Sequence, residues 1–233
     1  MKSLFPKLLV ALVVTIVSVF VFASTRSSNR QENPPKGNLL KWYAAKAKKD
    51  GKQKVVVPGL MVEHVGSATK EIDETISDYT VVRARLISQH TYQVDGDHLL
   101  TWNKFSIVDT LTDLKTPPSP NFLSLTPPMD LPIDYATEFF VPRTGGVIRI
   151  DDVEVHEVEP DFPEFQTNQE YLLFVLLYPN RVAVTAGGPY GVFTIASGDR
   201  LIPFNKDSDK IKQGVESKFG NSLARLKQYL KRP

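Results

Sequence analysis

The densest run of side chains able to do chemistry is Asp151, Asp152, Glu154, His156, Glu157, Glu159, Asp161 and Glu164. Carboxylates this close can ligate calcium or another hard cation, with Asp151, Asp152 and Glu154 as the candidate metal ligands. They can also raise one another's pKa and so divide into an acid and a base, the arrangement a carboxylate-dependent hydrolase needs. A structural role competes with both. Val153, Val155 and Val158 are interspersed with the charged residues, the pattern of an edge strand with a charged outer face.

Elsewhere the chain offers little to a catalyst. It contains no cysteine, which removes thiol nucleophiles, disulfide exchange and cysteine metal sites. It contains no GxSxG, HExxH, Walker A or GxGxxG pattern, so no catalytic or cofactor-binding residue is named by a motif, and no cofactor other than calcium is suggested. Four histidines remain: His64, His90, His98 and His156. Trp42, Tyr43, Tyr92, Trp102 and Tyr190 are candidates to line a carbohydrate or ligand face, with ordinary packing as the competing role.

These residues must be positioned by strands. Tyr79 to Gln93 and His98 to Leu111 are rich in Val, Ile, Thr and aromatics and flank Val94-Asp95-Gly96-Asp97, a hairpin signal. With Asp95 and Gly96 as a two-residue loop, Leu86 faces Phe105 and Ala84 faces Ile107, which buries apolar against apolar. The same register pairs His90 with Thr101 and His98 with Gln93, placing the two histidines on opposite faces, where they cannot share a metal. A loop containing Pro117, Pro118, Pro120, Pro127, Pro128 and Pro132 follows and is unfit for central strand. Glu138–Val141, Val147–Val158, Tyr171–Tyr178, Val182–Ala186, Gly191–Ile195 and Leu201–Phe204 are then short strands punctuated by Gly, Pro and Asn turns.

Upstream of the hairpin, Val55–Val57 and Leu60–Val62 flank Pro58-Gly59 and suit an edge strand, and Ser67–Ser77 suits a short helix. Asn38 is placed to cap a basic helix within residues 38–54, stopped at Gly51. In the tail Ile211, Val215, Phe219, Leu223, Leu226 and Leu230 step by three or four, an amphipathic helix over 206–233 expected to pack on the strands, with Asp207 or Ser208 as its cap and a break at Gly220-Asn221. The fold class is mainly β (α+β): an antiparallel barrel over 55–205 with a hydrophobic helix before it and an amphipathic helix after it.

The chain opens with Lys2, Lys7 and then sixteen residues, Leu8–Ala23, in which only Thr15 and Ser18 are polar. Residues 1–23 therefore read as a signal peptide, cleaved after Ala23, or as a signal anchor; a span of this length lies at the border of the two. Either way the body is expected outside the cytoplasmic membrane, as a periplasmic, extracellular or anchored protein. Residues 24–37 are a polar linker. Charge is uneven: +7 over 24–54, −12 over 55–205 and +5 over 206–233. An acidic body argues against nucleic acid as a partner. The basic flank after the apolar run is suited to anionic headgroups if the anchor is kept, with membrane attachment through residues 8–23; the positive-inside tendency favours cleavage instead.

The order Asp78-Tyr79-Thr80-Val81-Val82, Thr101–Leu111, a strand ending in Gly145-Gly146, then Glu170-Tyr171-Leu172-Leu173-Phe174-Val175 and Gly188-Pro189-Tyr190-Gly191-Val192-Phe193 resembles exported bacterial domains of OB-type or netrin-like form. In those a YLLFL strand precedes a GxxGxF strand. The resemblance spans about residues 75–205 and implies a barrel rather than a chemistry. Netrin-like metalloprotease inhibitors act through an N-terminal cysteine that this chain lacks, and the proline loop of 116–134 is longer than the pattern. The resulting expectation is an extracytoplasmic binding or interaction module for a protein or small ligand. The alternatives are a carboxylate-dependent hydrolase and a membrane-anchored envelope protein of structural role.

Overall fold

The computed structural model describes residues 36–59, 70–117, 126–128 and 130–231. The leader, most of the linker, His64, the Leu60–Val62 segment, the start of the Ser67–Ser77 helix and the middle of the proline loop lie outside them. Among the described residues no helix is long and apolar enough to cross a membrane.

Two long strands, β2 (Thr80–Val94) and β3 (His98–Thr110), form the hairpin. Leu86 sits opposite Phe105 and Ala84 opposite Ile107, the pairs that apolar matching predicts. The turn differs. Val94 pairs with His98, leaving a three-residue loop, and an irregularity between Leu86 and Ser88 shifts the register by one. His90 consequently faces Trp102 rather than Thr101, and His98 faces Val94 rather than Gln93. Both histidines fall on one face of the hairpin, not on opposite faces, but four ladder positions apart. That is about 13 Å along the strand, too far to share an ion.

The hairpin belongs to a seven-stranded sheet that also contains β4 (Glu138–Thr144), β7 (Glu170–Leu177), β8 (Ala183–Thr185), β9 (Val192–Ala196) and β10 (Arg200–Pro203). Its order is β10-β9-β7-β2-β3-β4, with β8 paired to β7 beyond β9, and all its ladders are antiparallel. It does not close into the expected barrel. Between β4 and β8 there is an isolated bridge, Phe140 to Val182, instead of a ladder. Three further strands split off as a separate sheet: β1 (Lys54–Pro58), β5 (Gly146–Ile150) and β6 (Val153–Val158), in the order β1-β6-β5. The β1–β6 pairing is parallel, so this part is not antiparallel throughout.

Both faces of the large sheet are covered around β7. On one side Phe105 stacks on Phe139 at 5.5 Å and meets Phe165 and Tyr171 edge-on at 5.1 and 5.9 Å. On the other side lie α2 (Ile72–Asp78), α3 (Lys210–Phe219) and α4 (Leu223–Leu230), which bury Ile72, Ile211, Val215, Phe219, Leu223 and Leu226 against Val81, Leu172, Phe174 and Phe193. The tail helix breaks where Gly220 takes the left-handed conformation (φ 57°). Asp209, not Asp207 or Ser208, caps α3, accepting the Lys212 amide at 2.8 Å. Gly214 is where α3 meets α2, since a methyl group there would come within 2.5 Å of Ile72.

The small sheet carries α1 (Leu39–Lys49), whose Leu40, Ala44 and Ala47 pack on Val57, Val153 and Val155. Asn38 occupies the cap position of α1 without a side-chain bond. The capping carboxylate is Asp97 of the hairpin loop, which accepts the Gly37 and Leu39 amides at 2.8 Å each. The two segments touch so closely that a side chain on Gly96, itself at φ 82°, would fall 2.2 Å from the Gly37 carbonyl oxygen. The Leu39 and Gly37 amides hold the Asp97 carboxyl below the usual carboxylate range.

A carboxyl group so lowered stabilises the fold at neutral pH and ceases to as the pH falls through its folded value. The first-turn amides of α1 are therefore expected to keep full hydrogen-exchange protection near neutrality and to lose it on strong acidification, while amides of β7 stay protected. Asp97→Ala is expected to give the same local loss at neutral pH.

Candidate functional site

The acidic segment spans β5, β6 and the loop after them. Asp151 and Asp152 form the two-residue turn between the strands, both exposed and both at positive φ (47° and 68°), so the run expected over 147–158 is a hairpin rather than one strand. β6 is central in its sheet, flanked by β1 and β5, and is not the edge strand its charges suggested. Parallel pairing with β1, which is far away in sequence, is what covers it.

Alternation along β6 decides which charges enter the protein. Val153, Val155, Glu157 and Glu159 are all buried, at 2, 0, 1 and 3% exposure, while Glu154, His156 and Val158 are only partly covered. The inward face thus runs on from two valines into two glutamates. On the outer face Glu154 pairs with Lys54 at 2.7 Å, and His156 Nε2 lies 2.8 Å from Glu164 Oε1 between Val56 and Val147.

Each buried glutamate accepts a bond from the large sheet. Glu157 accepts the Leu99 amide through Oε2, and His98 Nδ1 lies 3.0 Å from its Oε1. Glu159 accepts the Thr144 hydroxyl at 2.6 Å. Arg143, at the end of β4, stands near both and is itself buried. Its Nη1 donates to the Phe162 carbonyl at 3.2 Å and its Nη2 lies 3.4 Å from Glu164 Oε1, whereas its Nε is buried without a partner. Burial holds the guanidinium pKa below the ordinary arginine value, opposed by the charges of Glu164, Glu159 and Glu157. Three carboxylates around one desolvated cation is the charge compensation such burial needs.

The backbone beside this cluster is shaped to allow it. Thr101 donates to the Gly145 carbonyl at 2.6 Å and lies 3.0 Å from Thr91 across the hairpin. Gly145 is at φ 78°, and a side chain there would meet the Glu157 carbonyl oxygen at 2.5 Å. The strand can therefore leave the large sheet after Thr144 and begin the small one at Gly146 without a wider loop.

The remaining sequence candidates are dispersed. Trp42 and Tyr43 are on α1, Trp102 is buried with Phe140 under Leu131, and Tyr190 packs against the helical face of the large sheet. Tyr92 lies with Trp102 and directs its hydroxyl to Asp130 at 3.3 Å. No shared aromatic platform results. Among the described residues no three His, Asp or Glu side chains gather at metal-binding distance, and Asp151, Asp152 and Glu154 do not converge. Sequence reading missed Arg143, although its signal was present: it keeps the period-two register of Phe139 and Val141, which enter the core.

Fold and site together define a sheet-rich α+β domain whose two sheets are joined by buried carboxylate hydrogen bonds. No family model, curated protein or solved structure matches the chain.

Glu157→Ala strands the buried Leu99 amide and is expected to cost about 1–3 kcal/mol in a urea titration, with Glu157→Gln, which keeps an acceptor, costing less. Calcium added to the folded protein is expected to give no calorimetric heat and no shift in melting temperature, because the acidic turn offers no converging ligands.

Proposed function

We propose that the chain is a non-enzymatic binding or interaction module working outside the cytoplasmic membrane, brought there by residues 1–23. The observation that carries this is the use made of the acidic segment. Its buried carboxylates, Glu157 and Glu159, accept hydrogen bonds from the large sheet, Glu154 and Glu164 on its outer side are engaged with Lys54, His156 and Arg143, and the exposed Asp151 and Asp152 form a turn in which they do not converge. A general acid and base need an open space between them for substrate. An open groove of about 670 Å³ among the described residues, between Ile76, Thr110–Lys115 and Leu230, is lined by none of these acidic-segment side chains.

The likeness to exported OB-type or netrin-like domains is part of the same proposal. What supports it is the placing of the Tyr171-Leu172-Leu173-Phe174 strand beside the strand entered through Gly188–Gly191, paired at Leu172 with Phe193. We read the large sheet, with β4 bridged to the segment before β8, as an opened form of that arrangement.

A C-terminal reporter that functions only outside the cytoplasm is expected to be active when fused to the full chain, and a panel of ester, glycoside and peptide substrates is expected to show no turnover. A reporter active only inside the cell would overturn the placement. Turnover abolished by Glu164→Gln in a protein that still folds would overturn the non-enzymatic reading.

A further inference from the structure

We infer that the outward face of α1 is a docking surface for an anionic lipid bilayer, a reading that rests on residues 8–23 being kept as a membrane anchor. The helix buries Leu40, Ala44 and Ala47 and turns Lys41, Lys46, Lys48 and Lys49 to solvent, with no acidic residue anywhere within Leu39–Lys49. Among the described residues no carboxylate stands within ion-pair distance of these four lysines, so the fold leaves their charge uncompensated. Trp42 lies among them, partly exposed, with the Lys46 ammonium 5.0 Å from its ring centre. A tryptophan surrounded by lysines on one helix face is the composition that settles at the headgroup level, where the ring partitions into the interface and the ammonium groups meet phosphate.

The chain itself supplies the occupant. Only residues 24–38 separate the apolar run from α1, and fifteen residues reach at most about 54 Å when fully extended. An anchored chain therefore holds this face next to the bilayer at high effective concentration, so a few lysines suffice where free association would need many. Orientation follows from charge. Residues 55–205 carry −12 and residues 24–54 carry +7, and on the +5 tail Lys210, Lys218 and Lys227 are paired with Glu71, Asp73 and Asp109, so the α1 side turns toward the lipid. The Asp97 carboxylate ties the start of α1 to the long hairpin, so docking the helix fixes the whole domain against the membrane.

The test uses the full chain reconstituted into vesicles of phosphatidylcholine with or without phosphatidylglycerol, doped with brominated phosphatidylcholine as a tryptophan quencher. Trp102 is 2% exposed, so the quenchable emission belongs to Trp42, and Trp42→Phe should remove it. Quenching is expected to be about twofold or more stronger in the anionic vesicles, to disappear in high salt, and to be lost when Lys41, Lys46, Lys48 and Lys49 are all changed to Glu. Equal quenching in neutral and anionic vesicles, or undiminished quenching of the charge-reversed chain, would overturn the docking. Flotation with neutral vesicles reads the anchor separately. A chain that floats without anionic quenching keeps the anchor and loses the docking. A chain that does not float with neutral vesicles loses the anchor, and the docking that rests on it is overturned with it.

Discussion

β7 has no solvent side. Tyr171, Leu173, Val175 and Leu177 enter one core while Leu172 and Phe174 enter the other, and the strand pairs with β2 along one edge and with β8 and β9 along the other. A strand of this kind can exist only if both faces of its sheet are covered, since each of its large side chains left in water would forgo about 1.5–3 kcal/mol. The rest of the architecture follows from that demand. Phe162, Phe165 and Phe204, contributed by the segments after β6 and β10, roof one side, with Phe204 stacked on Phe165 at 4.7 Å. The amphipathic tail and α2 cover the other. Even the polar end of Tyr171 is accommodated, its hydroxyl accepting the Gln166 amide at 2.7 Å.

The small sheet is held to this body by polar contacts as well as by Leu99 of β3, which packs among its valines. Its covered face carries valines where it meets α1 and glutamates where it meets the large sheet, so the junction changes character along a single strand. Hydrogen bonds have strict distances and directions, and that gives the two sheets one relative position where a greasy contact would tolerate sliding. Arg143 shows the corresponding cost. Its desolvation is offset by three nearby carboxylates but leaves Nε without a bond.

Local signals in the sequence were reliable wherever the deciding interaction was local. The apolar runs of β7 and of the β2–β3 hairpin announce themselves, and matching Leu86 to Phe105 recovers the core register because a one-residue slip would turn both side chains to water. The same reasoning misplaces the histidines, since the irregularity between Leu86 and Ser88 shifts the register by one and leaves no mark in composition. Asn38 satisfies the grammar of a helix cap, but the cap comes from Asp97, nearly sixty residues away. The turn at Asp151-Asp152 lacks the glycine that usually betrays positive φ. The edge-strand reading of β6 failed because its neighbour β1 arrives from the far end of the domain in a parallel sense. The buried glutamates were legible in principle: counting by twos from Val153 and Val155 reaches Glu157 and Glu159, whereas the eye follows the hydrophobic Val158 to the opposite face.

Among the described residues, charge is paired within the body and left unpaired on α1. Acids are drawn inward as acceptors: Glu157 and Glu159 between the sheets, and Glu170 at the head of β7, where Arg85 and Arg83 hold its carboxyl below the usual range. The basic residues of α1 are excluded from this because their helix packs on the small sheet through alanine and leucine, small contacts that leave no room to return a lysine to the interior. Screening at physiological salt acts over about 8 Å, so acids on the far side of the domain scarcely reduce the field above α1. The domain is consequently polar in the electrical sense, and any charged surface it approaches will select which side arrives first.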